Sequence, residues 1–149
     1  MGAFYLVSEL SDNISEHSEF THGSVMVQFF KNKGHIDIGV LDNGLTIPGV
    51  YSTNSISFLS DSDAILKALR GVSTKINESG RGRGLGTSKR LVQEGLNGEF
   101  HILSRNGLVI IKPNQEPVNM DIDAPLNGTF VYMRFKVPEK DLNIYEYVE

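Results

Sequence analysis

Residues Gly80-Arg81-Gly82-Arg83-Gly84-Leu85-Gly86 constrain the fold of this chain more than any other stretch. Glycine at every second position leaves a backbone with almost no side-chain bulk. Such a loop reaches dihedrals closed to other residues and exposes its N–H groups in a row. The pattern then turns helical, with Leu85, Leu91, Val92 and Leu96 spaced for one buried face. A glycine loop feeding a helix N-terminus favours an anion, because free N–H groups and the macrodipole both attract negative charge, and phosphate is the obvious guest. The loop is not a P-loop, since no Lys-Ser/Thr pair follows its last glycine at the required position. It is not a dinucleotide fingerprint either, since no strand runs directly into it and no ribose-reading acid follows.

Charge supports the same reading. The 149 residues carry a net charge of -4, which argues against a general nucleic-acid binder. Yet Arg70, Lys75, Arg81, Arg83, Lys89 and Arg90 crowd a region whose one acid is Glu78. On an acidic chain such a patch focuses an anionic ligand. A solvated helix face accounts for Lys89 and Arg90, but less well for the arginines between glycines. The length suits one domain that buries roughly 68–70% of its unfolded surface. No apolar run approaches a membrane span, no leader pattern opens the chain, and cysteine is absent, so a reducing cytoplasm is the expected location.

Around the glycine loop the chain alternates helical and extended patterns. Residues 3–18 read as a helix with Ala3, Val7, Leu10 and Ile14 on its apolar face. Glu9, Asn13 and His17 form a polar stripe along its border, either facing a cleft or merely flanking the buried side. Residues 23–31 and the run through Ile36, Ile38 and Val40 read as a hairpin turning at Lys31-Asn32-Lys33-Gly34. The return strand ends in Asp42-Asn43-Gly44. An acid and a glycine there suit a nucleobase, the acid accepting a donor and the glycine permitting close approach; a plain turn has the same composition. Residues 50–60 read as a loop, and Asp61 or Asp63 as the cap of a short helix carrying Ala64, Ile65, Ala68 and Leu69. The polar segment 71–79 has the makings of a lid. A second hairpin is expected over 99–104 and 108–112, turning at Arg105-Asn106-Gly107, then a loop over 113–125 and a last strand over 128–135.

In order, Glu9-Leu10-x-x-Asn13, Asp42-x-Gly44, Gly82-x-Gly84-Leu85-Gly86 and Gly128-Thr129 resemble the nucleotide boxes of the GHKL ATPases, the superfamily of gyrase, MutL and sensor histidine kinases. The resemblance runs from Leu6 to Phe135. Residues Asn13-Ile14-Ser15-Glu16-His17-Ser18 and Gly71-Val72-Ser73-Thr74-Lys75 look most like the ATP-binding domain of sensor histidine kinases, with the anti-sigma serine kinases as a related possibility.

The resemblance implies a Bergerat fold: an α+β two-layer sandwich, its sheet mixed but mostly antiparallel, with helices on one face. It implies Mg-ATP as ligand. Asn13 would coordinate Mg²⁺, an oxygen ligand suited to a hard ion, and Glu9 would act as general base. Asp42 would accept the adenine amino group with Gly44 beneath the ring, and Thr129 would support that end. Gly82, Gly84, Leu85 and Gly86 would wrap the phosphates, and Lys75, Arg81 and Arg83 would neutralise them from the lid. The implied activity is phosphotransfer, in two-component signalling, to a histidine outside this segment. An anti-sigma-type serine kinase and a nucleotide-binding module without turnover are the alternatives. The expected macromolecular partner is a phosphoacceptor domain or a regulated protein, or a second copy of the chain, not nucleic acid or membrane.

Four departures accompany the match. The first glycine box of the family reads Asp-x-Gly-x-Gly, and here Thr46 stands for its second glycine. Glu16 stands where a basic residue is common. His17, His22, His35 and His101 all lie within or between these elements, none on a preceding dimerisation helix, and a strand histidine is ordinarily a packed or surface residue. The family fold also has a strand and helix ahead of its first box, so residues 1–149 are expected to form one such domain without them, or with the strand supplied by a partner.

Overall fold

The computed structural model describes residues 2–17, 19–72, 84–139 and 142–148. The elements run α1 (Gly2–His17), β1 (Gly23–Phe30), β2 (His35–Asp42), α2 (Ile47–Thr53), α3 (Asp61–Leu69), α4 (Gly84–Arg90), β3 (Glu99–Ile111), β4 (Val118–Lys136) and α5 (Tyr145–Val148). A π-helical stretch, Leu91–Gly95, continues α4. The strands form one sheet in the order β1-β2-β4-β3, antiparallel at every described pairing. This is the α+β architecture expected.

Period-two alternation decides which side of the sheet the helices cover. Ile38 and Val40 on β2, Val131, Met133 and Phe135 on β4, and Phe100 and Ile102 on β3 share one face and are buried. Leu6 and Leu10 of α1, Ile65 of α3, and Leu91 and Val92 beyond α4 close over them in a single core. On α1 Leu6 and Leu10 are buried and Val7 packs against the core, so the apolar face takes in Leu6 besides the expected Val7 and Leu10; the side chains of Ala3 and Ile14 lie outside the described residues. The helical layer stops short of β1, whose Val25, Met26, Val27 and Phe29 are 48–63% exposed. On the opposite face Asp37 takes two hydrogen bonds of 2.7 Å from Arg134, its cross-strand partner.

Four local expectations differ from the structure. Residues 99–111 form one strand, not a hairpin: the register shifts between Ser104 and Gly107, and buried positions change from even to odd numbers across the bulge. Arg105, at φ +53°, and Asn106 bulge because both bind the Asp61 carboxylate. The span 113–125 is not a loop throughout, since β4 already begins at Val118 and pairs with the far half of β3. Residues 50–60 include the end of α2, which starts with an N-capping Thr46 that accepts from the Gly49 N–H at 3.0 Å and has Pro48 in its first turn. In α3 the cap is Ser60, which accepts from the Asp63 N–H, not Asp61 or Asp63. The Asp121 carboxylate takes the N–H groups of Asp61 and Ser62 in addition.

Candidate functional site

Two apolar rows cross the helix-covered face, Ile38–Met133–Phe100 and Val40–Val131–Ile102. In the next pleat the row continues as Asp42–Thr129–Ser104. Asp42 is 4% exposed and Ser104 fully buried, so polar groups stand where the pattern of the sheet calls for hydrocarbon. Burying such groups costs several kcal/mol, on the order of 2–7 for an unpaired hydroxyl or amide, unless hydrogen bonds replace water. Here they do. The Gly44 N–H donates to Asp42 Oδ1 at 2.8 Å. Ser104 Oγ accepts from the Ile47 N–H at 2.9 Å and lies 2.8 Å from Thr129 Oγ1 and 3.4 Å from the Gly128 carbonyl oxygen.

The backbone around this row is built for close approach. Gly128 has φ +149°, and a Cβ there would stand 1.9 Å from the Asp42 carbonyl oxygen. Only glycine lets β4 bring Thr129 level with Asp42. Asn43 turns the other way and pins the start of β1, accepting from the N–H groups of Thr21 and His22 and donating to Thr21 Oγ1. Thr46, the residue that breaks the glycine box, caps α2.

The helices bring up the second half of the candidate site. α1 packs against both β2 and α4. Glu9 is partly buried on α1, and the Tyr5 hydroxyl one turn earlier donates to its carboxylate; burial first, then the Glu9 charge and this hydrogen bond, push Tyr5 up to about 12. Asn13 follows one turn later, and its side chain lies outside the described residues. Gly84, Leu85 and Gly86 form the first turn of α4, with Leu85 packed against the core. A Cβ on Gly86 would meet the Leu69 carbonyl oxygen at 2.8 Å, so this glycine lets α4 press on the end of α3. Lys75, Arg81, Gly82, Arg83 and residues 73–79 of the lid expected over 71–79 fall outside the described residues. At the entrance to that segment Tyr51 donates its hydroxyl to the Val72 carbonyl.

Of the residues singled out from sequence, Asp42, Gly44 and Thr129 therefore meet at one end of the sheet, while Glu9, Asn13 and Gly84 to Gly86 belong to two helices in mutual contact. Ser104 was not singled out. Its signal was a polar residue on the apolar period of β3, after Phe100 and Ile102. No described helix is long and apolar enough to cross a membrane. The family model for histidine kinase-, DNA gyrase B-, and HSP90-like ATPases matches residues 1–139, and no curated protein matches the chain.

Proposed function

As the chain belongs to the histidine kinase-, DNA gyrase B- and HSP90-like ATPase family, whose fold implies ATP binding, we propose that it is the Mg-ATP-binding catalytic domain of a sensor-histidine-kinase-like protein. The domain spans residues 1–149 in this reading. The observation that carries it is the buried Asp42 carboxylate, set in a row with Thr129 at the end of an otherwise apolar face. An ionised carboxylate only accepts hydrogen bonds, which suits the exocyclic amino group of adenine. Gly44 would lie beneath the ring, and the neighbouring apolar rows would exclude water.

Bound Mg-ATP supplies the transferable phosphoryl group. The chain's task is then positioning and charge neutralisation, with little covalent chemistry of its own. Asn13 would offer an amide oxygen to the metal, and Glu9 a carboxylate able to take the proton of an attacking group. Gly82, Gly84, Leu85 and Gly86 offer backbone N–H groups to phosphate oxygens, joined by Lys75, Arg81 and Arg83. The acceptor would be a histidine on another segment or partner, a reading favoured by the sequence from Asn13 to Ser18. Location in the cytoplasm fits this role.

Calorimetric titration with ATP, ADP and GTP, with and without Mg²⁺, tests the proposal. ATP and ADP should bind and GTP far more weakly, because guanine sets an oxygen acceptor against the Asp42 carboxylate. Equal affinity for ATP and GTP would remove Asp42 from its assigned place. Incubation with γ-labelled ATP and a histidine-bearing dimerisation segment then distinguishes a kinase from a module that only binds.

A further inference from the structure

We infer that Ser104 is a positioning residue for base selection: it fixes the Thr129 hydroxyl as a hydrogen-bond donor beside the Asp42 acceptor. This rests on the adenine reading proposed above and adds a residue to it. A serine hydroxyl has one proton to give and two lone pairs. The Ile47 N–H occupies one lone pair at 2.9 Å. Two oxygens remain near Ser104 Oγ, Thr129 Oγ1 at 2.8 Å and the Gly128 carbonyl at 3.4 Å.

If Thr129 donated to Ser104, the Ser104 proton would be left with the Gly128 carbonyl. That separation exceeds the ordinary O–H···O range of about 2.5–3.0 Å, and Ser104 is fully buried, where a badly made donor is costly. If Ser104 donates to Thr129 instead, every group on Ser104 is satisfied at short range. Thr129 then keeps its own proton. Unlike Ser104, Thr129 is only partly buried, so that proton is available on the ligand side of the row.

The end of the sheet thus presents an acceptor, Asp42, next to a donor, Thr129, on cross-strand neighbours. Adenine answers with an amino donor next to a ring-nitrogen acceptor. Guanine presents the reverse on the same edge, an oxygen acceptor next to a ring N–H, and so meets two mismatches instead of one. The same Ser104 hydroxyl accepts from Ile47 at the start of α2, which ties the row to the loop carrying Gly44.

A double-mutant cycle tests the assignment. ATP and GTP affinities are measured for the wild type, Ser104→Ala, Thr129→Val and the double variant. Ser104→Ala should weaken ATP about 3–10-fold, the worth of one neutral hydrogen bond, with no matching loss for GTP, so the ATP:GTP ratio falls. In the Thr129→Val background the same substitution should leave the ATP:GTP ratio unchanged. A merely structural role for Ser104 would lower both affinities together and persist without the Thr129 hydroxyl, and either result overturns the inference. If Ser104→Ala fails to fold, Ser104→Cys keeps the shape with a weaker donor and should lower the ratio in the same direction; an unchanged ratio overturns the inference there too. A wild type without preference for ATP over GTP is a different failure, which removes the adenine reading itself.

Discussion

Gly128 passes so close to Asp42 that a Cβ on the glycine would stand 1.9 Å from the Asp42 carbonyl oxygen. The atom it would strike is backbone, so no rotamer change relieves the overlap, and φ +149° is itself closed to side-chain-bearing residues. The contact holds β4 against the end of β2, level with the Asp42–Thr129 pair. Gly128→Ala should therefore both destabilise the domain, by about 1–3 kcal/mol for a forced backbone shift, and weaken ATP by more than tenfold. Thermal melting and nucleotide titration read the two effects separately. A variant with wild-type melting and affinity would contradict the close approach.

Asp42→Asn keeps shape and exchanges a charged acceptor for a neutral amide. The side chain also accepts from the Gly44 N–H, and an amide oxygen can retain that bond. The expected loss at the ligand is ATP binding weakened by about 1.5–3 kcal/mol, the worth of a charge-assisted hydrogen bond. GTP, already mismatched, should lose less. If ATP binding is unaltered while the variant is folded, the base lies elsewhere.

Local encoding explains which parts of this fold were legible in the sequence. The β1–β2 hairpin was legible because its alternation and its Lys31–Gly34 turn lie within one short stretch. The Arg105-Asn106-Gly107 triplet has the composition of a turn too, but Asp61, 44 residues away from Arg105, holds it as a bulge. No local pattern carries that partner. Thr46 was visible as a departure from a glycine box, and its capping of α2 became clear only when Gly49 closed on it. At the site, Asp42 and Gly128-Thr129 could be named from their motifs. Ser104 could not, because a lone serine in a strand has no motif until its register opposite Thr129 is known.

Two arginine–aspartate pairs contribute to the stability expected to be lost in acid. Hydrogen bonds from Arg134 hold the Asp37 carboxyl below its ordinary value of 3.8, and hydrogen bonds from Arg105 do the same for Asp61, against the opposing effect of burial. A depressed folded value means stability that is fully present above the unfolded value and is lost as pH falls through the folded one. Denaturant midpoints should therefore change little on this account down to about pH 5 and decline below about pH 4. Arg105→Met and Arg134→Met should start less stable at neutral pH and lose less on acidification. An acid limb as steep in both variants as in the wild type would assign it to other groups.

Glu9 and Asn13 occupy successive turns of α1, the helix that packs on α4, and substituting each tests its proposed role. If Asn13 supplies the metal's protein ligand, Asn13→Ala should abolish the Mg²⁺ dependence of ATP affinity. Glu9→Ala should leave affinity nearly intact, since a carboxylate beside a triphosphate repels it slightly, and should lose turnover by about 10²–10⁴-fold if Glu9 is the general base. The Tyr5 hydroxyl, which donates to Glu9, offers an internal control. Tyr5→Phe removes that hydrogen bond without removing the carboxylate, so any change in turnover should be far smaller than in Glu9→Ala. Equal losses in the two variants would mean that the helix, and not the carboxylate, had been disturbed. Wild-type turnover that survives Glu9→Ala would give the chemistry to another group. Without turnover in the wild type or the variant, even with a histidine-bearing partner present, the chain is a nucleotide-binding module whose output is the partner it holds.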